Sequence, residues 1–103
     1  MNEQKFSGLL GICRKAGKMS VGHDAAKISV KNKTAYLCIL ASDASERIKD
    51  EFAFLCKENE ITLIETPFPI EQFTFIIGQK AAVLTVDDEG FGKKLLTYRE
   101  DII

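Results

Sequence analysis

The chain has 103 residues, the length of a single core, because chains divide into separate cores only beyond roughly 200 residues. Hydrophobic residues make up 46% and charged residues 28%, with seven Gly and two Pro, which excludes disordered, collagenous and coiled-coil compositions. Fourteen basic residues against fifteen acidic ones argue mildly against a nucleic-acid binder of the generally basic kind, and no apolar run approaches the ~20 residues that span a bilayer.

Glu3 to Ala16 places Phe6, Leu9, Leu10 and Cys13 at i, i+3, i+4 and i+7, which predicts a helix with one buried stripe, and Gly17 supplies its stop. Met19 to Val21 is a short extended piece. Gly22 then opens a second helix running to about Asn32. On its wheel Ala26, Ser29 and Val30 fall together, whereas Asp24, Lys27, Ile28 and Lys31 form an opposite, mostly basic face that points outward. Ala35 to Ala41 is continuously apolar and too short for a good helix, so it reads as a central strand covered on both faces.

Asp43 or Ser45 is expected to cap the next helix, which carries Ile48, Phe52, Leu55 and Cys56 on one side. Ile61 to Glu65 reads as a strand. Thr66-Pro67-Phe68-Pro69 is a rigid connection, with Pro69 in the first turn of a short helix carrying Ile70, Phe73 and Ile77 and stopping at Gly78. Ala81 to Val86 is the last strand. Asp87-Asp88-Glu89 begins a terminal helix with Phe91, Leu95 and Tyr98 on one side. Helices alternating with short apolar strands predict an α/β fold, a three-layer α/β/α sandwich around a four-stranded mixed sheet, as one domain over 1–103.

Three cysteines, Cys13, Cys38 and Cys56, lack a CxxC pair and share the chain with a single His, so inert core thiols are expected, with no zinc-ligand set. Met1 to Lys5 lacks the apolar stretch of a secretory signal, and a soluble, cytoplasmic protein without a membrane partner is the expectation. The near-neutral charge total hides an asymmetry. Residues 1–50 hold nine basic against five acidic residues, and residues 51–103 hold five against ten. A local basic surface can steer a polyanion even on a neutral protein.

Most candidate chemistry can be set aside. Gly11 to Lys18 has five residues between its glycines and no Ser/Thr after the lysine, so it is not a phosphate-binding P-loop. His23 beside Asp24 suits a surface hydrogen bond better than acid-base catalysis, and Asp87-Asp88-Glu89 suits helix capping better than a metal ion. No enzymatic activity, cofactor or metal is therefore expected. What survives is the start of the second helix, where unpaired amides at Gly22, His23 and Asp24 attract anions and Lys27 and Lys31 follow on one face.

Leu10-Gly11-Ile12-Cys13-Arg14-Lys15-Ala16-Gly17-Lys18, Val21-Gly22, Ala35 to Ser45 and Val86 to Leu95 together resemble the small bacterial YlxQ-like proteins of the large-subunit ribosomal protein seven-A-e/thirty-e superfamily, from end to end. The resemblance implies an α/β/α sandwich that binds kink-turn RNA, with the second helix against tandem sheared G·A pairs and the loop before the last strand clamping a flipped-out nucleotide. It implies no enzymatic activity. The family carries an Asn-Glu pair after the glycine of the second helix and a Lys three residues on. This chain instead has Asp24, Ala25 and Ile28 after Gly22, and Phe73 to Gly78 where relatives carry a Leu-Gly-basic-Ala run ending in Gly. Asp24 cannot donate to guanine as an Asn amide can, and Ile28 replaces a cation.

The RNA face expected on these grounds combines Lys15, Lys18, Gly22, His23, Asp24, Lys27, Ile28, Lys31, Gly78 and Lys80, with structured RNA, including ribosomal RNA, as the partner. The alternative is a protein-interaction module on the same scaffold, with a protein partner held through Ile28 and the Phe73–Phe75 segment.

Overall fold

The computed structural model describes residues 1–100, and over these helix and strand alternate. The elements are α1 (Glu3–Lys15), β1 (Met19–Val21), α2 (His23–Lys31), β2 (Leu37–Leu40), α3 (Glu46–Asn59), β3 (Thr62–Glu65), α4 (Ile70–Ile77), β4 (Val83–Val86) and α5 (Glu89–Glu100). The strands form one mixed sheet in the order β1-β4-β2-β3, parallel between β2 and β3 and antiparallel at the other two pairings. The central strands β2 and β4 are buried along their whole length, as a strand covered on both faces must be.

Alternating side chains send the two faces of the sheet into separate cores. Leu37, Ile39, Leu84 and Val86 meet Phe6, Leu10 and Cys13 of α1, Phe73 and Ile77 of α4 and Leu95 of α5. Cys38, Leu40 and Val83 meet Ala26 and Val30 of α2 and Phe52, Leu55 and Cys56 of α3 on the other face. The result is the expected three-layer α/β/α sandwich. Each fully buried Phe or Leu contributes about 1.5–3 kcal/mol of apolar burial, so the helical stripes hold the layers together.

Some local expectations are settled and others corrected. Ser45 alone caps α3, accepting from the Ile48 amide, because Asp43 is engaged elsewhere: its Oδ1 accepts the Ile70 amide at 2.8 Å and so caps α4 from across the sheet end. Pro69 stands just before α4 with extended backbone, outside the first turn. Asp88 caps α5 by accepting the Phe91 amide at 2.9 Å, as carboxylates at a helix start do, but Asp87 turns inward and binds hydroxyls. Phe73 is wholly buried in the α1/α4/α5 core and cannot serve a partner, whereas its neighbour Phe75 is 90% exposed. All three cysteines are free and buried.

Candidate nucleic-acid interface

β1 and β4 run antiparallel with Val21 opposite Leu84, so the residue after β1 meets the residue that opens β4. The Gly22 amide donates to the Val83 carbonyl at 3.0 Å. This one bond seats the start of α2 beside the turn running from Gly78 to Ala82. Gly22 has φ 95° and ψ 169°, a conformation a side chain strains to adopt, so the glycine is required by the bend from strand to helix. Its carbonyl begins the helical ladder by accepting from Ala26, and no side chain caps the first turn. The Gly22 amide expected to be free is thus paired with the strand, and the amides that follow it in the first turn are left without a side-chain acceptor at the positive end of the helix.

The facing turn is built as tightly. Gly78 ends α4 in the left-handed region at φ 75°, and its amide donates to the Thr74 carbonyl. Gln79 Oε1 accepts from Arg14 Nη2 at 3.0 Å, which ties the last turn of α1 to this turn. Lys80 is exposed, and Ala82 accepts from the Ala41 amide, placing the loop after β2 alongside.

Gly22, His23, Asp24, Gly78 and Lys80 therefore belong to one end of the sheet. Lys18 does not. Its carbonyl accepts from Asp87, at the opposite end of β1, four residues and about 13 Å of extended chain from Gly22. Lys15 is exposed in the last turn of α1, and Lys31 is exposed in the last turn of α2, nine residues and about 13 Å of helix from Gly22. Ile28 stands 60% exposed on α2 between its start and Lys31.

The outward face of α2 is not the open basic face expected. Glu51 of α3 reaches across to it, with Oε1 2.7 Å from His23 Nε2 and Oε2 3.4 Å from Lys27 Nζ. Lys27 is thus half-buried and paired. His23 also places Nδ1 3.1 Å from Asp24 Oδ1 and rests edge-on against Phe52, ring centroids 5.7 Å apart. An imidazole held between two carboxylates is favoured in its doubly protonated form, which alone can donate from both nitrogens. The hydrogen bond with Glu51 raises the His23 pKa first, followed by that with Asp24, and the same bond with His23 holds Glu51 below its ordinary value, helped by Lys27. Ser45, Arg47 and Ile48 complete a depression of 310 Å³ around this pair.

Arg14, Arg47 and Glu51 were absent from the residues expected at this surface, whereas Gln79 came with the expected Gly78-Gln79-Lys80 loop. Arg14 carried a signal, being part of the basic run that ends the first helix. Glu51 carried none, since only tertiary packing aims α3 at α2. A larger depression of 530 Å³ lies along the outer side of α4, lined by Pro69, Glu71, Gln72, Thr74 and Phe75. Among the described residues no group of three or more His, Cys, Asp and Glu side chains gathers to hold a metal ion, and no helix is long and apolar enough to cross a membrane.

Residues 4–96 match the model of the ribosomal protein L7Ae/L30e/S12e/Gadd45 family. The chain belongs to the L7Ae/L30e/S12e/Gadd45 family. Among relatives of this L7Ae-family chain is a protein of Enterococcus faecium named RNA-binding protein YlxQ, 31% identical over 93 residues that cover 90% of this chain and 89% of the relative. A solved structure of a protein of unknown function from Bacillus halodurans superposes with a TM-score of 0.88 at 26% identity, covering 94% of this chain and 98% of the other. The family match spans α1 to α5 and so includes both halves of the surface described above.

Proposed function

We propose that this L7Ae-family chain is a non-enzymatic, cytoplasmic RNA-binding protein that recognises sharply bent RNA of the kink-turn type, including ribosomal RNA, at the end of the sheet where α2 begins. The observation that carries the reading is the Gly22–Val83 hydrogen bond, which sets the uncapped amides of α2 against the Gly78–Ala82 turn. Two phosphate-seeking elements held side by side suit a backbone that doubles back on itself better than a straight one. The name of the Enterococcus relative supports the polymer class.

Arg14 and Lys80 supply cations at the turn, Lys15 and Lys31 extend the field along α1 and α2, and Lys18 lies too far along β1 to share a contact with Gly22. Asp24 offers no amide donor to a guanine and Ala25 offers nothing. Affinity therefore comes mainly from backbone amides and cations, with selectivity from shape.

Gel mobility of the purified chain with a kink-turn RNA, the same RNA with its G·A pairs disrupted, and a straight duplex tests the proposal. Tighter binding of the kink-turn RNA at moderate salt is expected, and Lys80→Ala lowers the salt slope by about one unit. Equal binding of all three RNAs overturns it.

Phe75, 90% exposed beside Glu71 and Gln72, favours a second reading in which the outer side of α4 meets a protein partner. On that reading Phe75→Ser abolishes the partner's binding and leaves RNA affinity unchanged, and Ile28, which stands on α2 across the sheet from α4, is no part of that surface.

A further inference from the structure

Glu51 belongs to α3, yet its carboxylate lies over the start of α2. One oxygen is 2.7 Å from His23 Nε2 and the other 3.4 Å from Lys27 Nζ. Both side chains stand on the first two turns of α2, behind its uncapped amides, and a carboxylate bridging them holds two oxygens where a phosphate would present two of its own. We propose that Glu51 is a specificity-determining residue of the RNA surface: a tethered anion that fills the phosphate position at the start of α2, so that RNA backbone enters only by displacing it. The inference rests on the RNA-binding reading and adds to it the means by which plain duplex is refused.

The balance of charges makes the gate effective and still openable. Around His23, α2 contributes Asp24 and Lys27, and α3 contributes Glu51 and Arg47, which lines the same depression. β1 and β4, which also pack on α2, carry no titratable side chain over Met19–Val21 and Val83–Val86. With the imidazole protonated, the bridged cations His23 and Lys27 are balanced by Asp24 and Glu51 and only Arg47 is left over, so a passing phosphate finds one net positive charge there in place of two. Partly exposed ion pairs of this kind are weak. An RNA that also engages the amides of α2 and the Gly78–Ala82 turn has enough further contacts to displace the carboxylate, whereas a straight duplex touching α2 alone does not.

The test compares the wild-type chain with E51Q, with E58Q, which removes the same charge from an exposed position on the same helix, and with a double variant carrying E51Q and K27Q. Glutamine keeps the size and hydrogen-bonding capacity of Glu51, and each variant's melting curve confirms folding. Affinities for a kink-turn RNA and a straight duplex are measured against salt. For E51Q the expected results are tighter duplex binding, a salt slope steeper by about one unit as Lys27 becomes free, and a smaller kink-turn preference. E58Q leaves these unchanged, and K27Q removes the gain. A slope for E51Q equal to that of E58Q, or a gain that survives K27Q, overturns the inference. If the wild-type chain binds neither RNA, the RNA reading falls, and elution from immobilised heparin decides the gate alone. Later elution of E51Q than of E58Q supports masking of His23 and Lys27, and coincident elution overturns it.

Discussion

His23 sits with a carboxylate on each ring nitrogen, Glu51 and Asp24, and that arrangement links the candidate surface to pH. A raised imidazole pKa contributes stability that is complete below the ordinary value of 6.5 and is lost as pH rises through the folded value. A lowered carboxyl pKa contributes stability that is complete above the ordinary value of 4.5 and is lost as pH falls through the folded value. The His23–Glu51 pair therefore stabilises fully between about 4.5 and 6.5. The melting temperature of the wild type minus that of His23→Gln is expected to be largest in this window and to decline at higher pH. A difference that stays constant from pH 5 to pH 9 indicates that the ring acts only by packing on Phe52. On the proposed kink-turn reading, Asp24 is the residue through which G·A recognition would be strengthened. Its carboxylate is exposed and its partner is His23, so Asp24→Asn removes a charge near phosphate and adds the missing amide donor. Kink-turn affinity in mobility shifts is expected to rise by roughly tenfold, the low end of the ~1–3 kcal/mol of a base-edge contact, with no gain for the G·A-disrupted RNA.

At the scale of elements, periodicity was a sufficient guide wherever one helix face meets one core. Phe6, Leu10 and Cys13 of α1, Phe52, Leu55 and Cys56 of α3 and the Ala26, Ser29, Val30 face of α2 are buried as their spacing requires, with Leu9 and Ile48 half-buried at the stripe edges. The segment Phe73–Phe75 obeys the same guide: two aromatics two residues apart on a helix cannot share a face, and the Ile70, Phe73, Ile77 spacing turns Phe73 to the core and Phe75 away from it, so only Phe75 is free for a partner. Phe73→Ala is expected to cost about 3–5 kcal/mol in denaturant unfolding and Phe75→Ala less than about 0.5 kcal/mol, because only the first leaves a cavity. Gly92 is a further element-level feature that periodicity does not reveal. It is buried in α5 beneath the Tyr36 ring, and an added Cβ would fall inside that ring's van der Waals envelope. Gly92→Ala is expected to destabilise by about 1–3 kcal/mol despite alanine's better helix propensity, since Tyr36 or the helix must move. Unchanged stability in the same unfolding assay means that the ring rotates away freely.

Across the whole molecule, the two ends of the sheet divide the work. The end holding Gly22, Val83 and the Gly78–Ala82 turn leaves helix amides open to solvent, whereas the end holding Lys18, Tyr36 and Asp87 closes its polar groups on one another. Element order and layers were legible in the chain because each rests on local pattern. The side chains that join elements were not, because Asp43, Glu51 and Asp87 find partners 27, 28 and 58 or more residues away through packing alone. Asp87 is the clearest of these. Its carboxylate accepts from Ser20 of β1, Ser29 of α2 at 2.6 Å and Thr85 of β4 at 2.8 Å, so one side chain fastens an edge strand, a helix and a central strand. Ser29 and Thr85 are buried, and removing their acceptor strands hydroxyl donors that each cost about 1–3 kcal/mol to desolvate, although Ser29 keeps a hydrogen bond with Thr34. Asp87→Ala is therefore expected to lose about 3 kcal/mol in chemical denaturation. Asp87→Asn should lose less, since its amide oxygen still accepts. Both variants, measured well below their melting temperatures, are expected to bind RNA as the wild type does, because the cluster lies at the far end of β1 from Gly22. A loss in Asp87→Ala below about 0.5 kcal/mol would mean that water replaces the carboxylate at no cost, and a selective loss of RNA affinity in a stably folded variant would move the binding surface to the other end of the sheet.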